Sequence, residues 1–156
     1  MAVTAHVFPS LTQKSITKIL SLNNVDSLKV GLIASGTYTW NGTSQGHATV
    51  TDFLGGSGGG ALTEVSTSGT GYTRQALTSV TATTTGLVAT LTCANPSWSS
   101  ATFSANYAFF YDAAVDTNDG TRVLLCYWDL GATDTVSAGT FTLNVAGTGL
   151  VTWTSS

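Results

Sequence analysis

The chain has 156 residues, a formal net charge of -3 and only 8% charged residues, while 42% are hydrophobic. That length fits one domain able to bury its own core without a disulfide or metal staple, and the apolar content excludes intrinsic disorder. Charge at about a third of the usual share, with five scattered basic residues (Lys14, Lys18, Lys29, Arg74, Arg122), argues against a phosphate-binding surface and so against nucleic acid as the partner.

Residues 1–9 read as an N-terminal arm. Met1–Ser10 lacks a basic segment followed by an apolar one, so no secretion signal is expected. The chain is expected to be made and kept in the cytoplasm, or to leave it by a route other than secretion, such as lysis of a cell. No apolar run approaches the ~20 residues of a membrane helix, so no membrane partner is expected. Pro9 and Ser10 precede "LTQKSITKILSL", the one helix expected, over residues 10–22, with Ser10 as N-cap and Asn23 near its end.

Beyond residue 22 the helical period stops. Ser27–Ala34 reads as a strand, and Gly36–Thr43 as a β-rich stretch closing on the hairpin signal Asn41-Gly42. His47–Leu54 reads as a short extended piece, and Gly55–Gly60, "GGSGGG", as a flexible loop. From Tyr72 to Cys93 the pattern alternates, with Tyr72, Arg74, Ala76 and Thr78 on one face and a hairpin turn at Thr83–Gly86. Ala94–Thr102 reads as a loop around Pro96. Phe103–Asp112 and Arg122–Gly131 are nearly continuous in apolar residues, as expected of strands buried on both faces. Gly139–Thr154 reads as a final hairpin turning at Ala146–Gly149. The sum is one mainly β domain over residues 1–156. It is an antiparallel β-sandwich, jelly-roll-like, with about eight strands and one short N-terminal helix.

The chemistry-bearing residues form no catalytic or cofactor pattern. The histidines, His6 and His47, have no nucleophile elbow near them, and a His47–Asp52 pairing lacks context. There is no C-x-x-C and no H-x-x-x-H spacing. The acidic loop 112–120, with Asp112, Asp116, Asn118, Asp119 and Gly120, resembles a calcium loop only superficially: counted from Asp116 the glycine falls one place early, and no Glu follows. A polar turn explains it better. Glu64 is the sole Glu, and Asp129 beside Trp128 lies in an apolar strand where core packing is the better reading. Cys93 and Cys126 sit among apolar neighbours and read as free buried thiols. The expectation is therefore a non-enzyme with no cofactor.

Four segments in order carry a resemblance: "MAVTAHVFPS" with "DSLKVGLIAS" (Asp26–Ser35), "EVSTSGTGYTRQALT" (Glu64–Thr78), "PSWSSATFSANYAFFYD" (Pro96–Asp112) and "RVLLCYWDLGATDTVSAGTFTLNVAGTGL" (Arg122–Leu150). The ordered set resembles small virion structural proteins of tailed bacteriophages; the Gly55–Gly60 insertion departs from the pattern. The resemblance implies a capsid decoration (cement) protein on the outer capsid surface. Its expected partners are the major capsid protein or other virion proteins and its own copies, a trimer being favoured. A tail, neck or fibre-attachment component fits the same features. A carbohydrate-binding module using Tyr38, Trp40 or Trp98 is a third reading. Residues expected at an interface are Val3, His6 and Phe8 of the arm, with Tyr38, Trp40 and Trp98.

Overall fold

A computed structural model describes residues 4–7, 27–38, 49–55, 61–86, 88–114, 118–145 and 149–154. Nine strands and one short helix appear among them: β1 (Thr4–Val7), β2 (Leu28–Ser35), α1 (Val50–Leu54), β3 (Thr63–Glu64), β4 (Gln75–Ala76), β5 (Thr81–Thr85), β6 (Val88–Thr92), β7 (Ser97–Asp112), β8 (Val123–Thr142) and β9 (Val151–Thr154). Six strands form one sheet, in the order β1-β8-β7-β2-β3 with β4 also on β2, and three form a second, β5-β6-β9. Every pairing is antiparallel, so the expected mainly β, sandwich-like fold is the observed one.

The larger sheet is covered on both faces. One face meets the smaller sheet through a core that includes Val30, Leu32, Leu91, Trp98, Phe103, Phe110, Trp128 and Val151. The other lies under α1, where Val50, Phe53 and Leu62 cover Ile33, Phe109, Tyr111, Leu124 and Tyr127. This arrangement explains the sequence of β7. Its first half alternates, with Trp98, Ala101, Phe103 and Ala105 buried between more exposed Ser and Thr, because only one face is covered there. From Tyr107 to Asp112 every residue is buried, as a strand between two layers demands. Gly31 lies opposite Phe109 in the β2–β7 register, and the Phe109 ring folds across it: a Cβ at position 31 would stand 2.3 Å from Cζ.

Several expectations change. Val50–Leu54 is a helix, not an extended piece. Thr49 accepts from the Asp52 N–H while Asp52 accepts from the Thr49 N–H, a capping box that overrides the β-branched local composition. The expected helix over residues 10–22 and most of the Asn41-Gly42 hairpin lie outside the described residues, as do residues 56–60 of the Gly-rich loop. The loop at Ala94–Thr102 is shorter than expected: β7 begins at Ser97 and takes Trp98 into the core. Thr83–Thr85 belong to β5, paired with Val88–Thr90, and the turn closes after them with Gly86 at φ +60°. Between Tyr72 and Thr78 only Gln75–Ala76 is strand, and Tyr72 and Leu77 both enter the core. Among the described residues the two arms of the expected final hairpin do not pair: Gly139–Thr142 continue β8, and β9 crosses to pair with β6. β8 holds its length by slipping register against β7, most where Ala105 and Tyr107 face Asp134 and Asp129, so Leu130–Thr133 bulge out.

Candidate functional site

The most distinctive polar cluster is a clasp at the β2 edge of the larger sheet. β3 and β4 both pair with β2 but leave a gap between them, at Gly31 and Leu32. The Tyr72 hydroxyl fills it, accepting the Leu32 N–H at 2.9 Å and donating to Glu64 Oε1 at 2.6 Å. Arg74 then grips Glu64 with Nε and Nη2, at 2.8 and 2.7 Å, and Asp119 with Nη1 and Nη2, both at 2.7 Å. Arg122 donates to Asp119 from the other side at 2.6 Å. The Arg74 guanidinium lies over the Phe109 and Tyr111 rings, 5.3 and 5.4 Å from their centroids, and that of Arg122 lies 5.5 Å from the Tyr111 centroid.

The electrostatics follow from this geometry. Hydrogen bonds from Arg74 hold the Asp119 carboxyl below its ordinary value against the opposing effect of burial, with Arg122 adding to them. Burial lowers the Arg74 pKa, but its bonds to Glu64 and Asp119 outweigh that and hold the guanidinium charged. Burial, with the Glu64 charge beside it, raises the Tyr72 hydroxyl far above its ordinary value. Each carboxylate is thus already engaged by a guanidinium. The arrangement ties the β3 and β4 edge to the turn before β8; it does not present a free base to a substrate.

Three of the six expected interface residues fall among the described ones. Val3, Phe8 and Trp40 lie outside the described residues, and His6 stands in β1 opposite Tyr127 in the register. Tyr38 and Trp98 are corrections: they are only 7% and 1% exposed. Tyr38 packs against Tyr127 and Phe53, its N–H donating to the Tyr107 hydroxyl. Trp98 packs among Tyr72, Phe103 and Phe141 and donates its indole N–H to the Thr73 carbonyl. Neither offers a free ring to a partner, because β7 turns Trp98 into one core and the stretch that follows β2 turns Tyr38 into the other. Trp128 likewise donates to the Leu150 carbonyl from within the core, as its apolar strand implies.

The remaining candidates are also placed. His47 lies outside the described residues, and Asp52 serves the capping box. Asp116 lies outside them too. Of its neighbours in the acidic loop, Asp112 is buried, accepting from the Ser27 hydroxyl and the Ala114 N–H, while Asp119 belongs to the clasp. Among the described residues no group of three or more His, Cys, Asp or Glu is placed to hold a metal ion. Cys93 and Cys126 are unpaired and buried. Burial pushes the Cys93 thiol up to about 11 and Cys126 higher still, so neither is a nucleophile near neutrality.

With the geometry in place, comparison with protein-family models, with curated proteins and with solved structures finds no match. The clasp residues went unread as a group in the sequence because Glu64 and Arg74 lie 45 or more positions before Asp119 and Arg122. One signal pointed to them: they include the sole Glu and both arginines of a chain almost free of charge.

Proposed function

We propose that this chain is a non-enzymatic structural protein of a bacteriophage virion, acting as a capsid decoration protein that binds the outer surface of the capsid shell. One observation carries the reading furthest. The only two arginines and the only Glu are turned onto one another in the clasp, so the outward strand faces are left nearly neutral. Thr81, Thr83 and Thr85 on β5, and Ser99, Ser100, Thr102, Thr135, Ser137 and Thr140 on the β7–β8 ribbon, are exposed. Neutral hydroxyl faces let copies and partners approach closely without charge repulsion or the cost of stripping water from ions. The ordered phage-like segments supply the kind of particle.

Immunogold labelling of purified virions tests the proposal. Label over the heads, at a copy number comparable with the shell protein, is the expected result. Label confined to tails or necks moves the chain to those parts, and virions without label overturn the reading. The carbohydrate-binding alternative loses two of its three aromatic platforms, since Tyr38 and Trp98 are buried.

A further inference from the structure

Asp119 is the one Asp of this chain that is followed by Gly, the pairing in which Asp most readily rearranges without an enzyme. The Gly120 amide nitrogen attacks Asp119 Cγ, and glycine puts no side chain in its path. The new C–N bond closes a succinimide ring, and the carboxyl hydroxyl leaves as water. Water then opens the ring at either carbonyl. Opening at the former side-chain carbonyl restores Asp. Opening at the main-chain carbonyl leaves isoaspartate, in which the chain runs through Cβ and Cγ. One water leaves and one enters, so mass and charge are unchanged.

The reaction needs a protonated carboxyl, a side chain free to swing onto the next nitrogen, and a nitrogen free to attack. The turn before β8 denies all three. Asp119 Oδ1 accepts from Arg74 Nη1 at 2.7 Å and from Arg122 Nη1 at 2.6 Å, and Oδ2 accepts from Arg74 Nη2 at 2.7 Å, so the carboxylate is held charged and aimed at two guanidiniums. The Gly120 N–H donates to Asn118 Oδ1 at 2.8 Å. The Asp119 carbonyl accepts from the Thr51 N–H, and the Asn118 carbonyl from the Thr121 and Arg122 N–H groups, all at 3.1 Å, which pins the backbone on both sides. Burial gives little shelter, since the Asp119 side chain is 27% exposed and water reaches it. We propose that Asp119 is an isomerisation site that the Arg74 fork keeps silent. Rearrangement makes opening of the clasp permanent. Isoaspartate lengthens the turn by one backbone carbon and carries its carboxylate on Cα, where the Arg74 fork no longer meets it in the same place.

Ageing of the purified chain tests this. The parent, Arg74→Ala and Leu91→Ala are held for weeks at pH 6. Isoaspartate at position 119 is then read by peptide mapping with electron-transfer fragmentation, which tells the two linkages apart. Leu91 is fully buried against the smaller sheet's core, so L91A lowers stability without touching the clasp. R74A is expected to isomerise at least about tenfold faster than either the parent or L91A, because a local opening exposes the site long before the chain unfolds. Equal rates in R74A and L91A would assign the protection to folding at large and overturn the proposal, as would a parent that isomerises as fast as the urea-unfolded chain. Arg74→Lys is expected to fall between parent and R74A, and it carries the same comparison with L91A should R74A fail to fold. Gly120→Ala supplies the missing Cβ, whose nearest neighbour would be Asn118 Oδ1 at 3.3 Å, and is expected to return R74A to the parent rate. Isoaspartate that persists at 119 in R74A/G120A overturns the route. Any signal from Asn41-Gly42, the one Asn-Gly pair, is set apart by its gain in mass on deamidation.

Discussion

Arg74→Ala is the most informative single substitution, because one side chain joins Glu64, Asp119 and the Phe109–Tyr111 face. The side chains of Arg74, Glu64 and Asp119 are 18%, 23% and 27% exposed, so the pairs lie between surface and interior. Exposed ion pairs contribute about 0–1 kcal/mol, and stripping one partner from a buried pair costs about 3–5 kcal/mol. Adding about 1 kcal/mol for the lost cation–π contact and discounting for solvent, R74A is expected to cost about 3 kcal/mol. For a chain of this size that lowers Tm by roughly 6–12 °C. Arg74→Lys keeps the charge but cannot hold two carboxylates bidentately, and its cost is expected near half of that. The loss also depends on pH. The Asp119 carboxyl is held below its ordinary value of 3.8, so its contribution is full above that value and fades as pH falls through the lower, folded one. The gap between the parent chain and R74A should therefore be widest near neutrality and narrow below pH 4. Urea unfolding followed by tryptophan fluorescence, at pH 7 and pH 3 with unchanged m-value, reads all of this. A cost under about 0.5 kcal/mol at pH 7, or a gap that widens in acid, would refute the clasp as a stabilising element.

Three further outcomes are expected. Gly31→Ala forces a Cβ to within 2.3 Å of the Phe109 ring in a fully buried position and should cost about 2–3 kcal/mol, while adding Phe109→Leu should recover part of that loss; strict additivity of the two in urea melts would count against the contact. Thr49→Ala removes the N-cap acceptor of α1 and should cost about 1 kcal/mol, with hydrogen exchange at Asp52 and Phe53 rising first. Cys93 and Cys126 should resist maleimide at pH 8 in the folded chain and react at once in urea; rapid labelling of the native protein would show that the core opens.

How much of this was legible in the sequence depends on the range of the forces involved. β2, the buried halves of β7 and β8, and the β5–β6 hairpin were readable because each carries its own pattern, apolar runs in the first three and a Gly turn in the last. The α1 helix was hidden by Val and Thr, although its capping box, Thr49 with Asp52, was written in four consecutive letters. The pairing of β9 with β6 was not local at all: Gly149, at φ +82° and with a would-be Cβ 2.4 Å from Thr90, packs the chain so tightly onto β6 that Leu150 bonds back to Leu91 and no return along β8 is left. Trp98 and Tyr38 misled because aromatic rings beside Ser, Gly and Asn look exposed, whereas the strand alternation of β7 and the cover under α1 decide where each ring goes.

The same distinction applies to charge. Composition alone says that the chain has few ions; it does not say that Glu64, Arg74, Asp119 and Arg122 neutralise one another while Asp112 is buried. Once those are removed from the surface inventory, Lys29 is the only cationic side chain left among the described residues. A surface with so little charge has weak long-range repulsion between copies, which makes short-range geometry decide whether they associate. In this fold the geometry that decides is an edge. The bulge at Leu130–Thr133 and the positive φ of Ala138 break the outer edge of the distal half of β8, a device that discourages indiscriminate strand addition. The regular stretch from Cys126 to Asp129 is the part left suited to a strand, and it is the part that β1 occupies.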